Sequence, residues 1–512
     1  MGLQRFPLSG FSGGWNLRDS PQSLQPNEAQ DLLNVTLADV IGALQQREGK
    51  TRFDTGGLPA IADNLRVWYP STSIKYLFAS CDGDIYLINA VGTCSLLFDG
   101  TADTIWSFEQ STNISNQPTM WCMNGVDPPK QVNASGTISD WGGSPPNGSI
   151  LKLWRNRMVV SGVEGNPQRL FFSDIGDPEG PTVDTDSNPV TSYGTNWVDI
   201  KGTEEDLDPI TALEYFGDNL YTFKRKSIWA VTNGNSPWDN ERIATGIGSE
   251  GRFQTVVMQA KMYFFNRTGV WSLTSQLQVT EESDPIKPLW FSRVNQGALD
   301  KARIAATPTN RIIVALPLDT SSENNYVIEF VPNLNFRRIG LRRSITLPSI
   351  CLHNFPVSAI TTFRPANEDV LMGAASDAAK IHYLFNGKSD DGEVIHSHWL
   401  TGWRAIINEE PFERIRRVNV EMSGTLTVGI YRDFLDSAVA VKTLTSPSDD
   451  DPLWDGGQWD GGQWNASSDT FLGRMRPESW GRYHAIKFSN DLADSTFTIY
   501  AAELAIRGGK EH

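Results

Sequence analysis

Apolar and polar residues alternate in short runs along most of this chain, and Gly, Asn and Asp punctuate them. That is the pattern of half-buried strands joined by tight turns. Tyr76-Leu77-Phe78 and Ile85-Tyr86-Leu87-Ile88 flank Cys81-Asp82-Gly83, a hairpin signal. The run Leu151–Val160 reads as a strand that pairs with Arg169–Ser173. Arg311–Leu316 then precedes Tyr326–Phe330, and Asp369–Gly373 precedes Lys380–Phe385. Helical spacing is confined to one short stretch. Pro26 suits a first helical position, and Ala29, Leu32 and Leu33 follow at i, i+3 and i+4, so a short helix is expected there.

One pattern occurs twice. Leu220–Val231 and Met262–Leu273 match without a gap at an offset of 42 residues, since 263 − 221 = 42. Tyr221 aligns with Tyr263, Phe223 with Phe265, Arg225 with Arg267 and Trp229 with Trp271. Each copy reads as strand, polar turn, strand. A strand-built repeat of roughly 40–50 residues is the size of one propeller blade.

The expected fold is therefore all-β. A β-propeller of about seven blades is assigned to residues 54–390, at roughly 45 residues per blade. Residues 1–53, with the Gly-rich run Gly10–Asn16 and the short helix, read as an N-terminal docking arm. Residues 391–512 read as a C-terminal β-sandwich. There Arg414–Met422, Leu426–Tyr431, Tyr483–Phe488 and Phe497–Ile506 alternate between long loops.

Charge narrows the partners. The net charge of −16 over 512 residues argues against a protein that wraps nucleic acid by neutralising phosphates. It remains compatible with a duct past which DNA slides, since a repelling wall does not stick. No apolar run of ~18 residues is present to span a bilayer, and the first residues lack the apolar core of a signal peptide. Cys81, Cys94, Cys122 and Cys351 form no Cys-x-x-Cys pair and read as free buried thiols, although a Cys81–Cys94 hairpin pairing stays open.

No catalytic signature stands out, and no cofactor or metal is expected. Gly-x-Ser-x-Gly, P-loop and His-Glu-x-x-His motifs are missing from the sequence. His396-Ser397-His398 places two rings on one strand face but lacks an evident third ligand. Asp184–Asn188 begins like a calcium loop, yet Pro189 and Thr195 stand where Gly and Glu are needed. Glu204-Glu205-Asp206-Leu207-Asp208 reads as a solvated acidic loop.

The segment Trp454–Trp464 repeats Trp-Asp-Gly-Gly-Gln. A spacing of five suits neither strand nor helix, and Asp-Gly-Gly supplies turns that return each Trp to one side. Three readings stay open for Trp454, Trp459 and Trp464: a cover over their own sandwich, a grip on a neighbouring subunit, and a stacking surface for sugar.

In order, the segments resemble β-propeller tail proteins of tailed bacteriophages. The resemblance rests on Gly13–Leu17, Leu24–Ala29, Leu33–Val35 and Gly42–Gly49; on Asn124–Pro129, Phe172–Pro178 and Leu220–Thr232; and on Arg414–Val418, Gly481-Arg482, Glu503-Leu504 and the Trp repeat. It implies a non-enzymatic virion component: a hub, nozzle or tail-tip ring of identical copies that anchors neighbouring tail proteins and lines the path of DNA. The alternative is a receptor- or carbohydrate-binding tail protein that meets host glycan. Trp15, Asn16, Leu17, Arg47 and the three Trp of the repeat are the candidate partner contacts.

Overall fold

The computed structural model describes residues 3–509 apart from 9, 38–39, 41, 180–181, 184–188, 191–192, 194–195, 202–207, 233–237, 338–345, 406–411 and 447–470. The chain divides into two compact units. One is Thr51–Val327 with Phe355–Leu384; the other is Met1–Lys50 with Ile328–Asn354 and Phe385–His512.

Most of a seven-bladed β-propeller lies in the first unit, and the two outer strands of its sixth blade, Tyr326–Arg337 and Thr346–His353, fall mainly in the second. Seven four-stranded sheets follow one another among the described residues. Their innermost strands are Ala62–Trp68, Ser107–Thr112, Ile150–Trp154, Ala212–Phe216, Thr255–Met258, Arg303–Ala306 and Val357–Phe363. Blade 7 takes its outermost strand, Lys50–Arg52, from the other end of the sequence. Just beyond it, the Phe53 amide donates to Ile381 O (2.8 Å). The Ile381 amide in turn donates to the Asp54 carboxylate (2.7 Å). First and last strands of the ring are thus tied to each other, which removes the open edge a linear array of sheets would carry.

Turn chemistry sets the blades. Tyr76–Cys81 pairs with Asp84–Asn89 through Asp82 (φ +49°) and Gly83 (φ +86°), the two left-handed residues a tight hairpin needs. A Cβ on Gly83 would lie 2.0 Å from Thr101 O, so glycine is required there on two counts. The run Leu151–Val160 departs from expectation. It is not one strand but a hairpin of Ile150–Trp154 and Arg157–Ser161, turned by Arg155 (φ +48°) and Asn156 (φ +59°). Arg157–Ser161 does then pair with Arg169–Phe172 as expected.

The duplicated pattern forms the middle strands of blades 4 and 5, and its side chains alternate between two neighbours. From blade 4, Leu220, Trp229 and Val231 pack on Trp154, Leu170 and Phe172 of blade 3. Tyr221, Phe223, Ile228 and Ala230 instead face Met262, Phe264 and Leu273 of blade 5, with the Phe223 and Phe264 rings 5.2 Å apart. Met262, Trp271 and Leu273 sit 42 residues after Leu220, Trp229 and Val231 and do the same work one blade later. The period-2 alternation of each strand therefore builds an inter-blade core on both faces.

The second unit is also all-β. Among its described residues, twelve strands form two sheets that share the 21-residue strand Phe412–Arg432. The first half of this strand lies between Phe497–Gly509 on one side and Phe471–Met475 with Ser479–Gly481 on the other, in a sheet that curls as a half-barrel. The second half lies between His484–Asn490 and Ala440–Thr445. A strand that passes from one sheet to the other forms a corner of this kind.

Two expectations about the N-terminus are corrected here. It is not a separate arm: Gln4–Pro7 and Leu44–Gln46 pair with Phe497–Gly509, and Glu28–Leu33 pairs with Ser397–Thr401. Nor is Glu28–Leu33 a helix; it is a strand with a bulge between Ala29 and Asp31. The extra residue shifts the alternation by one, so Ala29 and Leu32 both point inward at the i, i+3 spacing that imitates a helix.

Candidate functional site

The seven innermost strands surround an axial channel of about 400 Å³. Polar side chains on these strands bond to the next blade. Arg66 Nη2 meets Glu109 Oε1 at 2.9 Å, between blades 1 and 2. Lys152 Nζ meets Glu214 Oε1 at 2.5 Å, between blades 3 and 4, and Thr255 Oγ1 donates to Glu214 Oε2 (3.2 Å) from blade 5. Ser358 Oγ donates to Ala62 O (2.6 Å) and joins blade 7 to blade 1. The channel wall is therefore a ring of short inter-blade bonds.

Two arginines reach in where the innermost strands begin. Arg252 precedes Thr255–Met258 in blade 5, and its Nη1 donates to Ile105 O (3.1 Å) and Ser149 O (2.7 Å), which precede the inner strands of blades 2 and 3. Arg303 opens the inner strand of blade 6. Its Nη1 donates to Asp300 O and Ala302 O (both 3.1 Å), and its Nη2 donates to Asp63 O (3.1 Å) in blade 1. Both guanidiniums lie against the Phe253 ring, at 5.8 and 5.0 Å from its centroid. Burial pushes Arg252 down to about 10. Burial, with Arg252 adding to it, pushes Arg303 down to about 10 as well. The side chains thus tie blades 5 and 6 across to blades 1, 2 and 3 at one end of the channel.

A second concavity, about 370 Å³, lies at the turns of the duplicated pattern and includes Arg225, Lys226, Glu250 and Arg267. Glu250 is shared: Arg225 Nε is 3.7 Å and Arg267 Nε 3.2 Å from its two oxygens. The matched arginines are turn residues on one rim that hold a common carboxylate between blades.

The residues singled out from the sequence lie mostly inside the second unit. Trp15, Asn16 and Arg47 are buried and Leu17 is half-buried. Asn16 Nδ2 donates to Glu28 Oε1 (2.9 Å) and Asp19 Oδ2 (3.1 Å). Arg47 Nε donates to Asn34 Oδ1 (2.8 Å), while Nη1 and Nη2 clamp the Asp390 carboxylate at 2.8 and 2.6 Å. Their visible partners are groups of their own unit. Trp454, Trp459 and Trp464 lie outside the described residues, as do Asp184–Asn188 and Glu204–Leu207.

His396 Nδ1 and His398 Nε2 each meet their own carboxylate, Asp491 at 2.9 Å and Asp31 at 2.8 Å. Among the described residues no group of three or more His, Cys, Asp or Glu side chains is placed to hold a metal ion. None of Cys81, Cys94, Cys122 and Cys351 is joined in a disulfide among the described residues. Asn124 and Asp127 lock a blade turn. Asn124 Oδ1 accepts the Val126 and Asp127 amides, and Asp127 accepts the Thr101 amide and hydroxyl. Burial alone would raise the Asp127 carboxyl, but these bonds bring it below the usual carboxylate value. Arg252 and Arg303 escaped sequence reading, because only the closed ring brings them to one place.

Fold and channel together define a seven-bladed β-propeller joined to a second all-β unit. No protein-family model matches the chain, and no curated protein matches it in sequence. Solved structures with a similar fold include virginiamycin B lyase from Staphylococcus aureus, 11% identical over 67% of this chain and 98% of that one, at a TM-score of 0.40. BamB from Moraxella catarrhalis is 9% identical over 66% and 97%, at 0.37. PorZ from Porphyromonas gingivalis is 12% identical over 70% of this chain and 42% of that one, at 0.35. At these values the likeness carries no functional argument, and the blade count rests on this chain's own sheets.

Proposed function

We propose that this chain is a non-enzymatic structural component of a bacteriophage tail, a hub, nozzle or tail-tip ring that anchors neighbouring tail proteins. One observation supports the reading above others. Several of the segments that carry the resemblance, though distant in sequence, are neighbours within the second unit. Arg414–Val418 runs between Ser479–Gly481 and Phe497–Gly509, so Glu413 faces Gly481 and Val418 faces Leu504. Arg47, from Gly42–Gly49, bonds Asn34, from Leu33–Val35. Their adjacency in one sheet system supports reading them together rather than as scattered motifs.

The channel geometry refines where DNA would pass. The propeller's axis is a small space with two guanidiniums across its strand-start end, far too narrow for a duplex. In the proposed role the conduit is the lumen of a ring of copies, and each propeller is a block in its wall. The net charge of −16 suits such a wall. The test is native mass spectrometry and electron microscopy of the purified chain, with charges mapped onto any ring found. A closed ring with an acidic lumen is expected. A strongly basic lumen, or a chain that stays monomeric and binds host glycan in a Trp459-dependent way, would overturn the reading in favour of an adhesin.

A further inference from the structure

The axial channel carries charge opposite to that of the chain. Its ionisable lining is Arg66, Lys152, Arg252 and Arg303 against Glu109 and Glu214, four cations to two anions, in a protein of net charge −16. Both anions are engaged, Glu109 by Arg66 and Glu214 by Lys152 and Thr255. The other two cations, Arg252 and Arg303, bond only to main-chain carbonyls among the described residues. Arg303 Nε is buried and has no partner among the described residues, although Arg303 is only 7% exposed. Arg252 spends Nη1 on its two carbonyls and leaves Nε and Nη2 free of protein acceptors among the described residues. Asp63 supplies the nearby negative charge, but it offers Arg303 its carbonyl rather than its carboxylate, and burial raises that carboxyl.

A buried cation beside a half-buried one, neither with a bonded counter-charge, is costly, and an anion that accepts from both would relieve the cost. We propose that the strand-start end of the channel binds a small tetrahedral oxyanion, phosphate or sulfate, between Arg252 and Arg303. Guanidinium groups suit such an anion, because their planar N–H forks match oxyanion geometry and stay charged at neutral pH even at a lowered pKa. The donors come from blades 5 and 6 and approach from separate strands, which favours an anion with acceptors on several sides over a flat carboxylate. A bound anion would also join blades 5 and 6 through a shared ligand at the point where both arginines already reach blades 1 to 3. The site is independent of the tail role.

Isothermal titration of the full chain with phosphate, sulfate and acetate at constant ionic strength tests it. One site per chain is expected for phosphate or sulfate, weakened roughly tenfold or more by Arg252→Gln and unchanged by Arg267→Gln on the rim. Phenylglyoxal labelling of the unmutated chain, read by peptide mass, gives a second measure that needs no variant. Phosphate is expected to protect Arg252 and not Arg267. Absence of saturable binding, acetate binding as tight as phosphate, loss in Arg267→Gln with retention in Arg252→Gln, or unprotected Arg252 would each overturn the proposal.

Discussion

Arg47 is where sequence and structure point to different experiments. Its place in a resemblance-bearing segment makes it a candidate partner contact, yet its side chain is wholly buried. The guanidinium holds Asp390 through two bonds of 2.8 and 2.6 Å and also donates to Asn34 Oδ1, Asn354 Oδ1 and Glu48 O. The Asp390 side chain is only 14% exposed. Arg47→Met keeps much of the volume and removes every one of these bonds, which leaves a largely buried carboxylate unpaired. Breaking a buried pair in this way costs about 3–5 kcal/mol. In a unit of roughly 200 residues each kcal/mol moves the midpoint by about 2–4 °C, so a fall of roughly 6–20 °C is expected.

Differential scanning calorimetry, with urea unfolding followed by Trp fluorescence, reads this directly. Arg5→Met is the control: its side chain is 72% exposed, 3.7 Å from Glu503, and its loss should matter by less than about 1 kcal/mol. Asp390→Asn on top of Arg47→Met should recover part of the loss, because the stranded charge goes with it. A wild-type midpoint in Arg47→Met, with only assembly impaired, would refute the internal role and restore Arg47 as a contact residue.

Gly83→Ala should cost at least about 2 kcal/mol in urea unfolding, because φ is +86° and the new Cβ would meet Thr101 O at 2.0 Å. Trp106→Phe should cost about 1–3 kcal/mol by the same measurement, since it removes the buried Nε1–H bond to Gly83 O (2.6 Å). Burial lowers the folded-state pKa of His484 below 6.5, so the unfolded chain binds more protons as pH falls past that value. Stability should therefore be flat above neutrality and decline below pH 6.5, and urea midpoints across that range should lose part of this slope in His484→Gln. Burial pushes the Cys81 and Cys94 thiols up to about 11 and the Cys122 thiol higher still. Ellman's reagent at pH 8 should accordingly leave Cys122 untouched in the folded chain and reach it only in denaturant.

What the sequence made legible followed from local rules. The Asp82-Gly83 hairpin was readable because a two-residue turn demands left-handed residues, and Gly marks one. The repeat was readable because each strand faces two neighbouring blades, so the same residues recur at matching positions. What stayed hidden depends on distant partners or unmarked backbone. Arg155 and Asn156 turn a hairpin without a glycine, so the run around them looked continuous. The bulge beside Ala29 produced a helical spacing inside a strand. Nothing local in Gln4–Pro7 or Leu44–Gln46 announces that Phe497–Gly509 is their partner, and nothing in Lys50–Arg52 marks it as the last strand of blade 7. Arg252 and Arg303 carry no motif; their meaning arises only when the ring closes.

The proposed tail role is tested most directly on virions. Tailed particles produced from the genome that encodes this chain would be purified, assayed by quantitative peptide mass spectrometry, and labelled with gold-conjugated antibody to the propeller. The expected result is several copies of the chain per particle and gold confined to one position on the tail. A chain absent from purified particles, or label found only in the host-cell fraction, would contradict the proposed function.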